Sequence, residues 1–556
     1  VRPYLALFGF GLTLRLLFWL LLPDRGAAWH VGFQGDAPVW QQLAAKVALG
    51  QPDELLRLPL RPPGMLWLTS GCWDGQASAW PLRLLMALLG ALHGPQLFGL
   101  LRPSLGARTA LLAGALVATA SNLLLLGSGP HAELPYLSLV LLLLQCYERL
   151  RSQRSVGLAL ATGAMHGLCC LLRPEHLLLW AACIAWLCWL QHGAWKRDAL
   201  WLLLGGALVL LPWQLTAMQQ VARYNREPLP ELPAAELRLP GRLPWSEAAL
   251  AELRRLPAFQ QAPVWHFVGD TLQARRANRI EAADLGVVRE AYGCYPEPLP
   301  MPLLCLYGGL NFYLGNTPEA AGGFSQQALD RTPPLLGGSS RYPPGLLQVL
   351  PRDGQLALSY PPHLDLVVHG YRRGWDEIAA APAAAVMRVM HKLWHGLEGA
   401  ASGYGGSGLP IGLSGERRRV DLVTATGSWP RTYRVVVLLI AAAGLLASRR
   451  LPAVQLLLLH AVCGVVVLAA FFGYARLGAL LVPVLATGLA VAVDRWFGNW
   501  PARVFCKPGR LLFAALVWLV FEALGLAATR IDVDHRPWQE APVDHAPHRV
   551  AYVWGR

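Results

Sequence analysis

The stretch "YLALFGFGLTLRLLFWLLL", Tyr4 to Leu22, carries one ionisable side chain, Arg15, in an otherwise apolar run. A helix rises about 1.5 Å per residue, so a run of this length reaches nearly across the roughly 30 Å hydrocarbon layer of a bilayer. No small-residue cleavage pattern follows it, so it is expected to stay as a first membrane helix. Further apolar runs occur at Pro81 to Leu101, Ala110 to Leu126, Leu134 to Cys146, Val156 to Leu172, Leu177 to Leu190 and Ala199 to Ala217. A second cluster holds Val435 to Ala447, Leu451 to Phe472, Leu477 to Val493 and Leu511 to Ala527. The expected fold is therefore an all-α polytopic membrane protein with about eleven transmembrane helices.

Composition agrees. Of 556 residues, 54% are hydrophobic and only 15% charged, too apolar for an ordinary soluble enzyme of this length. The net charge of +14 suits either nucleic acid or basic cytoplasmic loops, and its distribution decides for the membrane. With the N-terminus inside, the inner turns hold Arg102 and Arg108, then Arg149, Arg151 and Arg154, then Lys196 and Arg197, Arg449 and Arg450, and finally Arg495, Arg503, Lys507 and Arg510. Lys and Arg resist translocation, so this assignment puts "GSGPHAEL", "RPEH" and "YARL" on the outer, extracytoplasmic side. No nucleic-acid partner is expected.

The expected domains are a transmembrane catalytic module at 1–218 with a first outer loop at 23–80, an extracytoplasmic insert at 219–434, further membrane helices at 435–530 and an outer tail at 531–556. The insert, of mixed α/β or irregular structure, is rich in Pro and Gly. Within it "GWDEIAAAPAAAVMRVMHKLWHGL" reads as an amphipathic helix broken near Pro382. Of ten cysteines, Cys72, Cys294 and Cys305 are expected outside. The last two are close enough to form a disulfide in an oxidising compartment, with free or buried thiols the equal alternative. No Cys/His spacing of a zinc site occurs.

Four polar groups on the outer side are not explained by hydrophobicity: Asp36 in "GDAPVW", Arg61 in "LRPPGMLWL", His131 and Glu133 in "GPHAELPYL", and Arg173 and Glu175 in "LLRPEHLLL". Ionisable groups at span ends are costly and usually serve a cavity, a substrate or one another. Converging carboxylates and guanidiniums would form an acid/base centre beside an anion clamp. Each has a plainer reading as well. Asp36 suits an N-cap before Ala37, with Pro38 in the first turn; Glu133 suits a cap before Leu134; Arg173 and Glu175 suit a local ion pair; and Arg15 suits snorkelling.

These pieces, in order, resemble the GT-C superfamily of membrane glycosyltransferases, nearest to the protein O-mannosyltransferases, the aminoarabinose transferases and their bacterial relatives. The resemblance rests on a first helix with an internal Arg, "GDAPVWQQLAAKVALG", "RPPGMLWL", an acid before the fourth helix and "LLRPEHLLL". Later matches are "GGLNFYLGNTPEAAGG", "APAAAVMRVMHKLWHGLEG" and "GYARLGALLVPVLATGLA". Trp40, where Tyr is common, and Pro38 depart from the usual motif. The resemblance implies a GT-C helix bundle acting on a polyprenyl-phosphate sugar, without a metal or other cofactor, at the outer face of the cytoplasmic membrane. It makes Asp36 the catalytic base, gives Glu133 the orientation of acceptor or sugar, and puts Arg61, Arg173, Arg476 and Lys392 at the lipid phosphate. Arg15, His131 and Glu175 are further candidates. The acceptor, whether protein, lipid or glycan, is not specified. The competing readings are a lipid-linked sugar flippase, which would show repeated halves, and an outer-face polymerase or ligase on a similar scaffold.

Overall fold

The computed structural model describes residues 2–21, 37–50, 58–72, 80–190, 195–226, 243–255, 265, 268, 272, 277–285, 298–320, 322–323, 361–404 and 431–497. The chain divides into two compact units. The first lies within Val1–Gln51, Pro62–Pro212 and Met387–Pro537, and the second within Pro52–Arg61, Trp213–Val386 and Trp538–Arg556.

The first unit is helical. It contains α1 (Arg2–Leu21), α2 (Ala37–Ala48), α3 (Gly64–Gly71), α4 (Trp80–Thr119), α5 (Ser121–Leu126), α6 (Glu133–Gln153), α7 (Val156–Leu172) and α8 (His176–Leu190). α9 (Trp195–Arg226) begins in it and continues into the second unit. Five helices among the described residues are long and apolar enough to cross a membrane, within Arg2–Leu20, Trp80–Thr119, Trp195–Arg226, Pro452–Ala470 and Ala475–Trp496. Val156–Leu172, His176–Trp189 and Thr432–Ser448 are apolar but shorter. The expected run Leu511 to Ala527 lies outside the described residues.

Local chemistry sets the breaks. The expected runs Pro81 to Leu101 and Ala110 to Leu126 lie on either side of a non-helical Gly106 within α4, whose φ of 80° is open to glycine at little steric cost. α6 ends at Arg154 in the left-handed region (φ 47°), and α7 starts beneath Ser155, whose hydroxyl accepts from the Leu158 amide at 3.4 Å. α1 packs on α4, α4 on α6, and α6 on α7. Leu200, Leu203, Leu208 and Leu211 stay exposed along α9, an apolar face of the kind lipid tails cover.

The same unit includes most of α13 (Pro382–Ala401), α14 (Arg431–Ser448), α15 (Pro452–Ala470) and α16 (Val482–Phe497). Here α14 and α4 both pack on α16, and Asp494 of α16 binds Arg108 at 2.8 Å and the Thr109 hydroxyl at 2.7 Å.

In the second unit α10 (Glu247–Arg254), α11 (Tyr307–Asn316) and α12 (Pro361–Ala380) accompany the end of α9. α11 packs on α12, and Leu58, Leu60, Val221, Leu310 and Leu314 share a core. Asn225 of α9 makes two hydrogen bonds with the Leu299 backbone, at 2.9 and 3.0 Å. Among the described residues, the expected outer insert shows helices and one isolated bridge, Trp245 with Ile280, and no strand. The expected break ahead of Pro382 is present, between α12 and α13.

Candidate active site

Three stretches far apart in sequence meet at the first turn of α6. Glu133 begins that helix and is 4% exposed. Nη1 of Arg173 donates to its Oε1 at 3.0 Å, and Nε of Arg476 lies 3.2 Å from the same oxygen. Arg173 also donates through Nε to Oε1 of Glu175 at 2.6 Å. Two carboxylates thus hold two guanidiniums in a largely water-excluded corner, where an unpaired charge would be costly.

Backbone packing determines where each arginine starts. Arg173 follows the last residue of α7 in extended conformation (φ −147°, ψ 107°), and the His176 amide donates back to its carbonyl at 3.1 Å. Just before it, α3 sits so close to α7 that a Cβ on Gly64 would lie 2.7 Å from the Leu171 carbonyl oxygen. Arg476 rises from a turn pressed on α13, where a Cβ at Gly478 would strike the Gly396 carbonyl and one at Gly399 would strike Ala475. Glycines on both partners permit this approach.

Charge in the cluster is mutually stabilised. Burial disfavours the Arg173 cation, but Glu175 and Glu133 outweigh it and hold its pKa above the ordinary value. Glu133 precedes the apolar run that starts at Leu134. Burial pushes its pKa up, yet Arg476, Arg173 and buried His131 prevail and leave it below the usual carboxylate range. Such a carboxylate is ionised at neutral pH and is a weak proton acceptor.

Beneath the cluster lies a hydrogen-bonded chain of rings that sequence reasoning did not single out. The Tyr136 ring centroid is 5.7 Å from the Arg173 guanidinium, and its hydroxyl is 2.9 Å from Nδ1 of His176. Nε2 of His176 is 2.8 Å from Nδ1 of His166, whose Nε2 is 2.8 Å from the Tyr147 hydroxyl. All four side chains are at most 5% exposed. The chain ties α6, α7 and α8 together under the turn that carries Arg173. A histidine within the apolar run of α7 was the available signal, since a buried imidazole there needs a partner.

The other expected residues fall as follows. Asp36 lies outside the described residues, as does Cys294, so neither the expected base nor the disulfide is placed. Arg61 belongs to the second unit, with its guanidinium 5.0 Å from the Tyr307 ring centroid. Arg15 is 3% exposed within α1, donates from Nη1 to the Gly11 carbonyl at 3.0 Å, and packs against Gly90. Lys392 of α13 is fully buried and donates to the Ala469 carbonyl at 3.2 Å; burial and then Arg388 lower its pKa to about 8. Among the described residues no group of three or more His, Cys, Asp or Glu side chains is arranged to hold a metal ion.

Among solved structures, the archaeal oligosaccharyltransferase AglB from Archaeoglobus fulgidus, in complex with an inhibitory peptide and a dolichol-phosphate, is 14% identical, with 94% of this chain and 55% of that one covered and a TM-score of 0.35. ArnT from Cupriavidus metallidurans is 12% identical in the apo state, with 87% of this chain and 76% of that one covered and a TM-score of 0.32. Its form bound to undecaprenyl phosphate is 15% identical, covering 87% and 77%, again with a TM-score of 0.32. Likeness at these scores carries no structural argument, and the chain spans about 55% of the length of AglB. No curated protein matches. Residues 60–215, which include Arg61, Glu133, Arg173 and Glu175, match the family model of dolichyl-phosphate-mannose-protein mannosyltransferases, and it is this GT-C family that the chain resembles.

Proposed function

We propose that the protein is a glycosyltransferase of the cytoplasmic membrane that moves a sugar from a polyprenyl-phosphate donor to an acceptor hydroxyl or amine on the outer face, with inversion. The observation that carries this reading is the buried meeting of Arg173 and Arg476 on Glu133, two residues of which lie in the segment that matches the mannosyltransferase family. Paired guanidiniums in a poorly hydrated corner suit a departing phosphate, because each offers several fixed N–H donors to its oxygens.

In this reaction the acceptor O–H or N–H bond breaks as a new bond forms to the anomeric carbon. The bond from that carbon to the phosphate oxygen breaks with its electron pair, and the lipid phosphate leaves as an anion. The acceptor proton goes to Asp36. Glu133 is a poor choice for that role, since its two arginines hold its pKa below the usual carboxylate range and make it a weak proton acceptor. Its part is to draw the two guanidiniums to one place, since both meet its Oε1. One base without a covalent nucleophile means direct displacement, hence inversion.

Transfer from a synthetic polyprenyl-phosphate sugar in detergent tests the proposal. Asp36→Asn should retain expression and melting temperature, because Asn caps a helix as well as Asp, while transfer falls by about 10²- to 10⁴-fold. Parental activity in that variant would return Asp36 to the role of a cap. Since a monophosphate departs with limited charge, transfer should persist in excess EDTA; complete loss that added divalent metal restores would overturn metal independence.

A further inference from the structure

Between α1, α4 and α6, near the C-terminal end of α6, lies a cavity of about 410 Å³ that has no part in the proposed reaction. Its walls include Tyr4, Gly99, Arg102, Gln145, Glu148 and Arg149. Gln145 to Arg149 lie twelve to sixteen residues along α6 from Glu133, roughly 20 Å at the helical rise. The cavity therefore sits toward the opposite end of that helix from the ion cluster.

Its charge is open. Glu148 is engaged by Arg151, which donates from Nη2 at 2.9 Å and from Nε at 3.3 Å. Among the described residues neither Arg102 nor Arg149 forms an ion pair with a carboxylate; Arg102 has only a distant ring contact, 6.0 Å from the Phe98 centroid. Gln145 donates to the Gln96 carbonyl at 2.6 Å and retains a second amide hydrogen. Gly99 lets the Gln145 side chain lie close against α4, since a Cβ there would come within 3.1 Å of the Gln145 side-chain oxygen. The adjoining surface is apolar. Leu142, one turn before Gln145 on α6, is 40% exposed, and Leu5, next to Tyr4 on α1, is 64% exposed.

We propose that this cavity binds the phosphate headgroup of an anionic phospholipid of the inner leaflet, with Arg102 and Arg149 as its charge partners and the acyl chains along Leu5 and Leu142. Basic pockets between helices at the cytoplasmic surface are suited to such headgroups. A bare phosphate would be met by the same arginines, but it would leave the apolar surface beside them unused. The site is independent of sugar transfer; it rests on the reading of the bundle as membrane-spanning with this end inside.

The test is native mass spectrometry of the full chain in detergent, titrated with phosphatidylglycerol, phosphatidylcholine or inorganic phosphate. Phosphatidylglycerol should be retained in preference to phosphatidylcholine. The double variant Arg102→Gln, Arg149→Gln should weaken that retention by about thirtyfold, roughly fivefold for each arginine near the membrane surface. Lys196→Gln, which removes a charge from the same side but outside the cavity, should leave it unchanged. Equal retention of both lipids, equal weakening in the two variants, or displacement of the lipid by millimolar inorganic phosphate would each overturn the proposal. If the double variant does not fold, photoactivatable phosphatidylglycerol on the unaltered chain decides: cross-links within 96–103 and 142–151 support the site, and cross-links confined elsewhere reject it.

Discussion

The two ends of α6 hold arginines in opposite ways. At the Glu133 end both guanidiniums are largely withdrawn from water, and each meets the buried carboxylate of Glu133, brought from another part of the chain. At the Arg149 end the arginines are exposed, and the nearest carboxylate is already engaged by Arg151. Burial makes the difference. A charge withdrawn from water needs a counter-charge within the fold, whereas one at the membrane surface keeps its hydration and can wait for a ligand.

The strongest way to break this comparison is Glu133→Gln, which preserves shape and removes the charge between Arg173 and Arg476. Removing the charge that Arg173 and Arg476 share, with Arg173 still paired to Glu175, should cost about 3 kcal/mol, seen as a drop in melting temperature in detergent. The arginine-to-glutamine changes at 102 and 149 should leave melting nearly unchanged. Equal melting of all three variants would mean that the cluster is more hydrated than its burial indicates.

A smaller effect is expected one layer below. Tyr136→Phe keeps the ring beside Arg173 but leaves Nδ1 of His176 without its hydroxyl partner. The cost should be about 1–3 kcal/mol, as for other buried polar groups that lose a hydrogen bond. Transfer should decline less than in Asp36→Asn, since the guanidiniums remain paired. Loss of transfer as deep as that of Asp36→Asn, with melting unchanged, would instead place the hydroxyl in the chemistry.

The smallest effect is pH dependence. A carboxylate whose pKa is lower in the folded than in the unfolded chain adds stability above the unfolded value, near about 4.3 for Glu, and loses it as pH falls through the folded value. Glu133 is such a group. Its share of the melting temperature should therefore be constant from neutral pH down to about 5 and decline only in stronger acid. The Glu133→Gln variant should lack that acid decline; an identical acid profile in the parent and the variant would show that other carboxylates cause it.

Much of the helical frame was legible. Apolar length predicted the runs now seen as α1, α4 and α6 through α9, and α14 to α16, because a bilayer-length stretch has little alternative to helix. Pro382 marked the break between α12 and α13, since proline cannot continue a helix from before it without losing a hydrogen bond. Less legible was the place of the break inside α4, at Gly106, which depends on a backbone angle and not on hydropathy. Of the candidate site, Glu133, Arg173, Glu175 and Arg476 were chosen from the sequence, and the structure brings these four together. The chain of Tyr136, His176, His166 and Tyr147 is not legible in the sequence, because spacings of ten to forty residues between hydrogen-bond partners leave no periodic trace.

By itself the sequence determined the membrane class, the helix-forming runs and the presence of costly ionisable groups at their ends. These follow from transfer energies that each residue carries wherever the chain folds. Tertiary structure alone decided partnership: that Glu133 would serve two arginines rather than cap a helix, and that four rings would line up beneath them. Arg476 is 343 positions beyond Glu133 in the chain, and the glycine contacts of α13 with the turn before α16 bring it there. Such convergence depends on packing distances, which a linear order of residues does not contain.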